Sequence, residues 1–180
     1  SFASASPTSN NKIIIWQEVK DNAIWISAAS YIFTGRSYEW QTKERFAGHF
    51  PFSGEIPQIS SLAMNKNGQI ACAVITDTHT ISIFTSDDNG KNFVQSNIKH
   101  QGEPLLAPRL YALSNNDFII FASEGDDESF LLKYSLSKDG YTWQDFLPFE
   151  PTKNMRNPFV PVLTQTNEGD LLVFQASYSS

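Results

Sequence analysis

Three segments of the chain begin alike, each on a proline, and they recur at a nearly constant interval. They are "IPQISSLAMNKNGQIACAVI", "APRLYALSNNDFIIFAS" and "NPFVPVLTQTNEGDLLVFQAS", with Pro57, Pro108 and Pro158 spaced 51 and 50 residues apart. In each, an apolar run enters an Asn-rich turn (65–68, 115–117 and 167–169) and returns as a second apolar run, the pattern of a β-hairpin. A period of this length marks one supersecondary unit per repeat, which must bury its faces against its neighbours.

A second strand pair follows each hairpin and closes on an aromatic. "ISIFTSDDNGKNF" ends at Phe93 and "FLLKYSLSKDGYTW" at Trp143, while a weaker version, "YIFTGRSYEW", ends at Trp40; these aromatics lie 53 and 50 residues apart. Four short antiparallel strands per repeat, stacked so that neighbours cover each other, is the pattern of β-propeller blades. The fold class expected is therefore all-β, a β-propeller of four-stranded antiparallel blades with about three and a half blades in this chain. The divisions expected are a flexible segment over 1–11, a first, partial blade over 12–56, blades over 57–107 and 108–157, and the start of another over 158–180, all within one domain. Three and a half blades leave bare strand edges, so the expected partner is the rest of the propeller, or a second copy, to close the ring.

Composition agrees with this class and excludes others. Of 180 residues, 41% are apolar and 18% charged, enough for a packed core, and 14 Phe, 6 Tyr and 4 Trp stand among many Ile, Val, Thr and Ser. The net charge of −6, with 13 Lys and Arg and no basic run, lacks what a phosphate backbone requires, so no nucleic-acid partner is expected. The one cysteine, Cys72, lies in the apolar run "QIACAVI" and reads as a small core hydrophobe. No stretch approaches the roughly 20 apolar residues of a membrane span. Ala3-Ser4-Ala5 has the form of a signal-peptidase site, which points to a secreted, periplasmic or cell-surface location.

The closing turns resemble the Asp-box, or BNR repeat, whose pattern is Ser-x-Asp-x-Gly-x-Thr-Trp. Ser86, Asp88, Gly90 and Phe93 match it, with Asn92 in place of Thr; Ser137, Asp139, Gly140, Thr142 and Trp143 match the variant one residue shorter. Thr34, Arg36, Ser37 and Trp40 keep the frame and lose the Asp. The resemblance covers roughly 12–180 and is to sialidase-like propellers, which implies a six-bladed ring. In such a turn Asp and Ser bond nearby backbone N–H groups, Gly takes a left-handed conformation and the aromatic plugs the blade, so these residues read as fasteners. An EF-hand calcium loop fails on spacing, since placing Gly90 at loop position six puts Ser96 where a bidentate Glu belongs. Asp87, off the pattern, is expected to face solvent.

If strands alternate in direction, the Asn-rich and Asp-box turns share one face, while second-to-third turns and blade-to-blade links share the other. The second face receives the long links and every histidine, His49, His79 and His100, together with Glu55, Asp77, Glu103, the run Glu124–Glu128, Lys153 and Arg156; Arg109 lies just inside a strand start. Long charged loops on a rigid scaffold are a common place for binding. The candidate ligand-binding residues are Arg109, Arg156, His79, Glu124, Glu103 and Asp77. The competing reading is that these are ordinary solvated loop residues.

The resemblance to sialidases implies three arginines gripping a carboxylate, a Tyr nucleophile assisted by a Glu, and an Asp acid/base. This chain has four arginines, Arg36, Arg45, Arg109 and Arg156, of which two fall near the expected mouth, too few to hold an anionic sugar in an acidic protein. Asp77, Glu124, Asp126 and Asp127 have no motif marking them as a glycosidase pair, so the catalytic residues stay unassigned. The three histidines lack a local ligand spacing such as His-x-x-x-His, so no metal and no cofactor is expected. The reading that demands least is an extracytoplasmic module binding a glycan or protein through the face opposite the Asp-boxes. The alternative is an exo-sialidase or other glycoside hydrolase whose remaining catalytic residues lie outside these 180 residues.

Overall fold

The computed structural model describes residues 2–8, 11–20, 23–51, 59–88, 90, 92–125, 130–150, 162–165 and 171–174. Their regular elements are all strands, arranged in order of sequence. The first sheet is β1 (Phe2–Thr8), β2 (Asn11–Lys20), β3 (Ala23–Phe33) and β4 (Tyr38–Pro51). The second is β5 (Ile59–Met64), β6 (Ile70–Asp77), β7 (Thr80–Ser86) and β8 (Val94–Lys99), and the third β9 (Leu105–Ala112), β10 (Phe118–Gly125), β11 (Phe130–Ser137) and β12 (Leu147–Pro148). A hairpin of β13 (Val162–Gln165) and β14 (Leu171–Phe174) follows. Every pairing is antiparallel and every sheet runs up and down in chain order. β1 contacts β5, and β5 contacts β9, so the first strands of successive sheets lie side by side.

Two boundaries differ from the sequence reading. The opening segment, expected to be flexible, forms β1, with Phe2 opposite Trp16 and Ala5 opposite Ile13, so the first sheet is a full set of four. "FASASPT" gives no strong apolar signal because it pairs through its backbone, and its register slips between Ala5 and Thr8, around Pro7, as an edge strand permits. The third sheet starts at Leu105, ahead of Pro108, so a division at 107/108 falls inside β9. Ala107 there has φ of 47° beside a register shift against β10, a bulge that lets the strand continue through the proline.

The core lies between sheets. Middle strand β10, "FIIFASEG", is buried along its whole length, which requires a neighbour on each face. Phe118, Ile120 and Ala122 on one face, with Leu110 and Phe146, pack on Ala71, Ala73, Ile81, Ile83 and Ile98 of the second sheet. The large Phe and Ile side chains of one sheet fit over the alanines of the other, keeping the layers close. Ile119 and Phe121 on the opposite face join Leu132 and Leu163, the latter from β13. Cys72 is wholly buried, and burial pushes its thiol up to about 12, which leaves it inert.

On the face carrying the β7–β8 and β11–β12 connections, the two closing turns share a bonding pattern. Ser86 Oγ accepts from Gly90 N (2.9 Å), and Asp88 Oδ1 accepts from Ser86 Oγ and Asn92 N, both at 2.8 Å. In the third sheet Ser137 Oγ accepts from Gly140 N (2.8 Å), and Asp139 Oδ1 accepts from the backbone N–H groups of Tyr141 (2.8 Å) and Thr142 (2.7 Å). Gly90 and Gly140 both have left-handed backbones, φ 79° and 74°. The hydrogen bond from Thr142 N leads the causes that hold the Asp139 carboxyl below its ordinary range, against a smaller rise from burial.

The turns also join the sheets. Thr85 Oγ1 donates to Gly140 O (2.7 Å), Gln69 Nε2 to Asp139 O (2.7 Å) and Asn65 Nδ2 to Asn116 O (3.1 Å). Asp87, expected to face solvent, is exposed and also accepts a hydrogen bond from the Tyr141 hydroxyl of the next sheet. Burial first, and this carboxylate second, push Tyr141 up to about 12.

Candidate functional site

The opposite face is built from the β6–β7 turn, the 100–104 link and the ends of β10 and β11. Asp77 Oδ1 accepts from His79 N (2.8 Å), an Asx-type closure that holds the turn. His79 O then accepts from His100 N (2.9 Å) and Thr78 O from Leu105 N (2.7 Å), so both ends of the link are tied to this turn. Its other edge is tied to the third sheet, where Pro104 O accepts from Gly125 N (3.1 Å).

Beneath the link lies an ionic cluster. Glu124 stands opposite Leu131, two positions from the Ala122–Lys133 pair, so alternation turns Glu124 and Lys133 toward the second sheet. Glu124 is 8% exposed; one carboxylate oxygen meets His100 Nε2, and the other lies 2.9 Å from Lys133 Nζ. The His100 ring rests edge-on against Phe146, with centroids 5.9 Å apart at 82°. Gly102 covers the pair so closely that a Cβ there would overlap both the Glu124 carboxylate and the His100 ring.

Burial pushes the Glu124 carboxyl up, but the hydrogen bonds and charges of Lys133 and His100 outweigh it and hold the group below its usual range. Glu124 is thus ionised near neutrality with both oxygens engaged. A general acid needs a proton to give at working pH, so this carboxylate suits anchoring the link rather than protonating a leaving group.

The other candidates separate around this cluster. His79 and Glu103 are exposed on the turn and the link, and Asp77 is exposed while closing its own turn. Arg109 does not join Glu124. It pairs with Phe121, which puts it on the opposite face of the third sheet, and its Nη1 donates to Pro108 O at 3.3 Å. There its charge acts against the burial that raises the neighbouring Tyr111 hydroxyl. Arg156, Glu55, Asp126, Asp127, Glu128 and Lys153 lie outside the described residues, as does the side chain of His49.

Sequence reasoning missed Lys133 and Gly102. The available signal was a single lysine inside the apolar run "FLLKYSL", at the register position facing Ala122. Among the described residues, no group of three His, Cys, Asp or Glu could hold a metal, and no helix is long and apolar enough to cross a membrane. A shallow concavity of about 370 Å³ lies on the other face, beside Asp139 and Trp143. Those groups are engaged in the turn itself, Trp143 Nε1 donating to Gly140 O at 3.1 Å, so the concavity reflects turn packing.

No protein-family model matches the chain, and no curated protein matches it. Solved structures do. A protein of unknown function from Dyadobacter fermentans aligns with TM-score 0.65 at 13% identity over 97% of this chain and 61% of its own. An α-L-arabinanase from Penicillium chrysogenum, solved with arabinobiose, aligns with TM-score 0.58 at 16% identity over 94% of this chain and 55% of its own. NanB sialidase from Streptococcus pneumoniae aligns with TM-score 0.50 at 16% identity over 74% of this chain and 20% of its own. The chain thus spans less than two thirds of each. At these identities the likeness is one of fold: the chain is all-β, with the antiparallel four-stranded sheets of a β-propeller. The likeness in fold extends beyond a sialidase to an arabinanase and to an α-L-arabinofuranosidase from Fusarium graminearum.

Proposed function

We propose that this chain is part of an extracytoplasmic, glycan-recognising propeller whose ligand side is the face of the β6–β7 turn and the 100–104 link. The observation that supports it is the His100–Glu124–Lys133 cluster under Gly102, which fixes the link and leaves His79 and Glu103 exposed upon it. Rigid backbone presenting exposed polar side chains suits hydrogen bonding to sugar hydroxyls. Arg156 is the cation proposed to act with them, whereas Arg109, turned to the other side of the third sheet, is left out of this group. The turns around Asp88 and Asp139 are proposed as Asp-boxes that fasten the hairpins and take no part in binding.

The second reading is a glycoside hydrolase with catalytic residues outside this chain, favoured by the enzymes among the structural neighbours. Glu124, deprotonated and doubly paired, would then position the link rather than act on the sugar. An immobilised glycan panel containing arabino- and sialo-oligosaccharides, run alongside hydrolysis assays on the same sugars with the intact protein, separates the two. Binding without turnover is the expected result. Turnover moves the chain to the second reading, and neither binding nor turnover removes both.

Asp88→Ala should cost about 1–3 kcal/mol, because it removes charge-assisted bonds to Asn92 and Ser86 in a half-buried turn. Urea titration should register that loss with panel binding unchanged.

A further inference from the structure

At the far end of the first sheet, three aromatic rings form a surface that the proposed ligand face does not include. Tyr31 of β3 stands opposite Trp40 of β4, and Tyr38 lies two residues along the same strand, so alternation puts all three on one side. The Tyr31 and Tyr38 rings are nearly parallel, with centroids 5.0 Å apart at 13°. The Trp40 ring sits 4.9 Å from Tyr31 at 42°, turning the flat stack into an open angle. Trp40 is 50% exposed and Tyr38 40%.

The turn at this end of the sheet is polar and electrically balanced. Arg36, Ser37 and Glu39 are all exposed there; Ser37 Oγ donates to Glu39 Oε1 at 3.1 Å, and alternation turns Glu39, between Tyr38 and Trp40, to the other side of the strand. A cation and an anion on one turn give no preference for a charged ligand. Size points the same way. Three aromatics of about 150–250 Å² each, part-covered by one another, offer far less than the roughly 800 Å² per partner of a stable protein interface.

We propose that Tyr31, Tyr38 and Trp40 form a stacking site for a neutral pyranose or furanose ring of a glycan chain. The apolar C–H face of a sugar lies flat on such rings, and its equatorial hydroxyls stay in solvent around them. The site is separate from the His79–Glu103 face and stands or falls without it.

The test is a tryptophan-fluorescence titration of the intact protein with arabinohexaose, xylohexaose and cellohexaose, because half-exposed Trp40 reports contact directly. A saturable change with at least one of the three is expected. Trp40→Ala should weaken that binding about tenfold or more, and Trp40→Phe should keep most of it. Tyr38→Ser should weaken it with the melting temperature unchanged, as befits an exposed side chain. The His79→Ala/Glu103→Ala double variant should leave this titration as it was. No saturable change with any probe, or binding indifferent to Trp40→Ala and Tyr38→Ser, overturns the proposal. So does a concentration-dependent dimer in sedimentation that Trp40→Ala abolishes, since the rings would then serve a second copy of the chain.

Discussion

Replacing Glu124 with alanine is expected to lower stability by about 3–5 kcal/mol at neutral pH, the range for removing one partner of a buried ion pair. The reason is what remains. Lys133 and His100, brought together under the 100–104 link by that carboxylate, would face each other in a site closed by Gly102 with no anion between them. Glu124→Gln keeps a hydrogen-bond acceptor and should cost less. The folded-state pKa of Glu124 is depressed, so its contribution is present above the ordinary carboxyl value of about 4.3 and disappears as pH falls through the folded value. Urea unfolding followed from pH 7 down to acid should therefore show a loss in the wild type that is smaller in Glu124→Gln. Equal slopes in the two proteins would mean that the cluster contributes nothing to folding.

Gly140→Ala is the second large effect expected. At φ 74° a Cβ carries a backbone cost of roughly 1–2 kcal/mol. The new methyl would also stand 2.9 Å from Thr85 Cγ2 and 3.4 Å from Phe118 Cε2, in the packed junction of the second and third sheets. Overpacking of that kind adds about 1–3 kcal/mol. It would also strain the Thr85–Gly140 hydrogen bond that joins the sheets. Gly35 is the internal control: its φ is 90°, but nothing lies within 4 Å of its added Cβ, so Gly35→Ala should show the backbone cost alone. Thermal unfolding of the two variants side by side gives the comparison, and a larger loss at Gly35 would contradict the packing described for Gly140.

Much of the architecture could be read from the chain because local chemistry repeats with it. Asn-rich turns sit between alternating apolar runs, and β10 reads as buried on both faces from "FIIFAS" alone. β1 could not be read this way. Its serines and alanines pair through backbone groups, which leave no side-chain pattern.

At the proposed site, the grouping of the side chains could not be read from the chain. His100, Glu124 and Lys133 come from a link and two strands, and nothing local says that three separated positions share one cavity. Arg109 shows the reverse. It lies close to Glu124 in sequence, yet the register with Phe121 sends it to the other side of the sheet. Asp87 likewise found a partner 54 residues away in Tyr141, a contact visible only once two blades are stacked.

The central claim is that the link face recognises a ligand and that the turns around Asp88 and Asp139 only fasten the hairpins. Affinity for a bound member of the glycan panel, measured in a Trp40→Ala background that silences the aromatic site, for the otherwise wild-type chain, the His79→Ala/Glu103→Ala double variant and Asp88→Ala, tests it most directly. The double variant should lose about tenfold in affinity with its unfolding midpoint unchanged, while Asp88→Ala should unfold more easily and bind as the wild type does. Affinity lost in a fully folded Asp88→Ala, and retained in the double variant, would put the ligand on the opposite face.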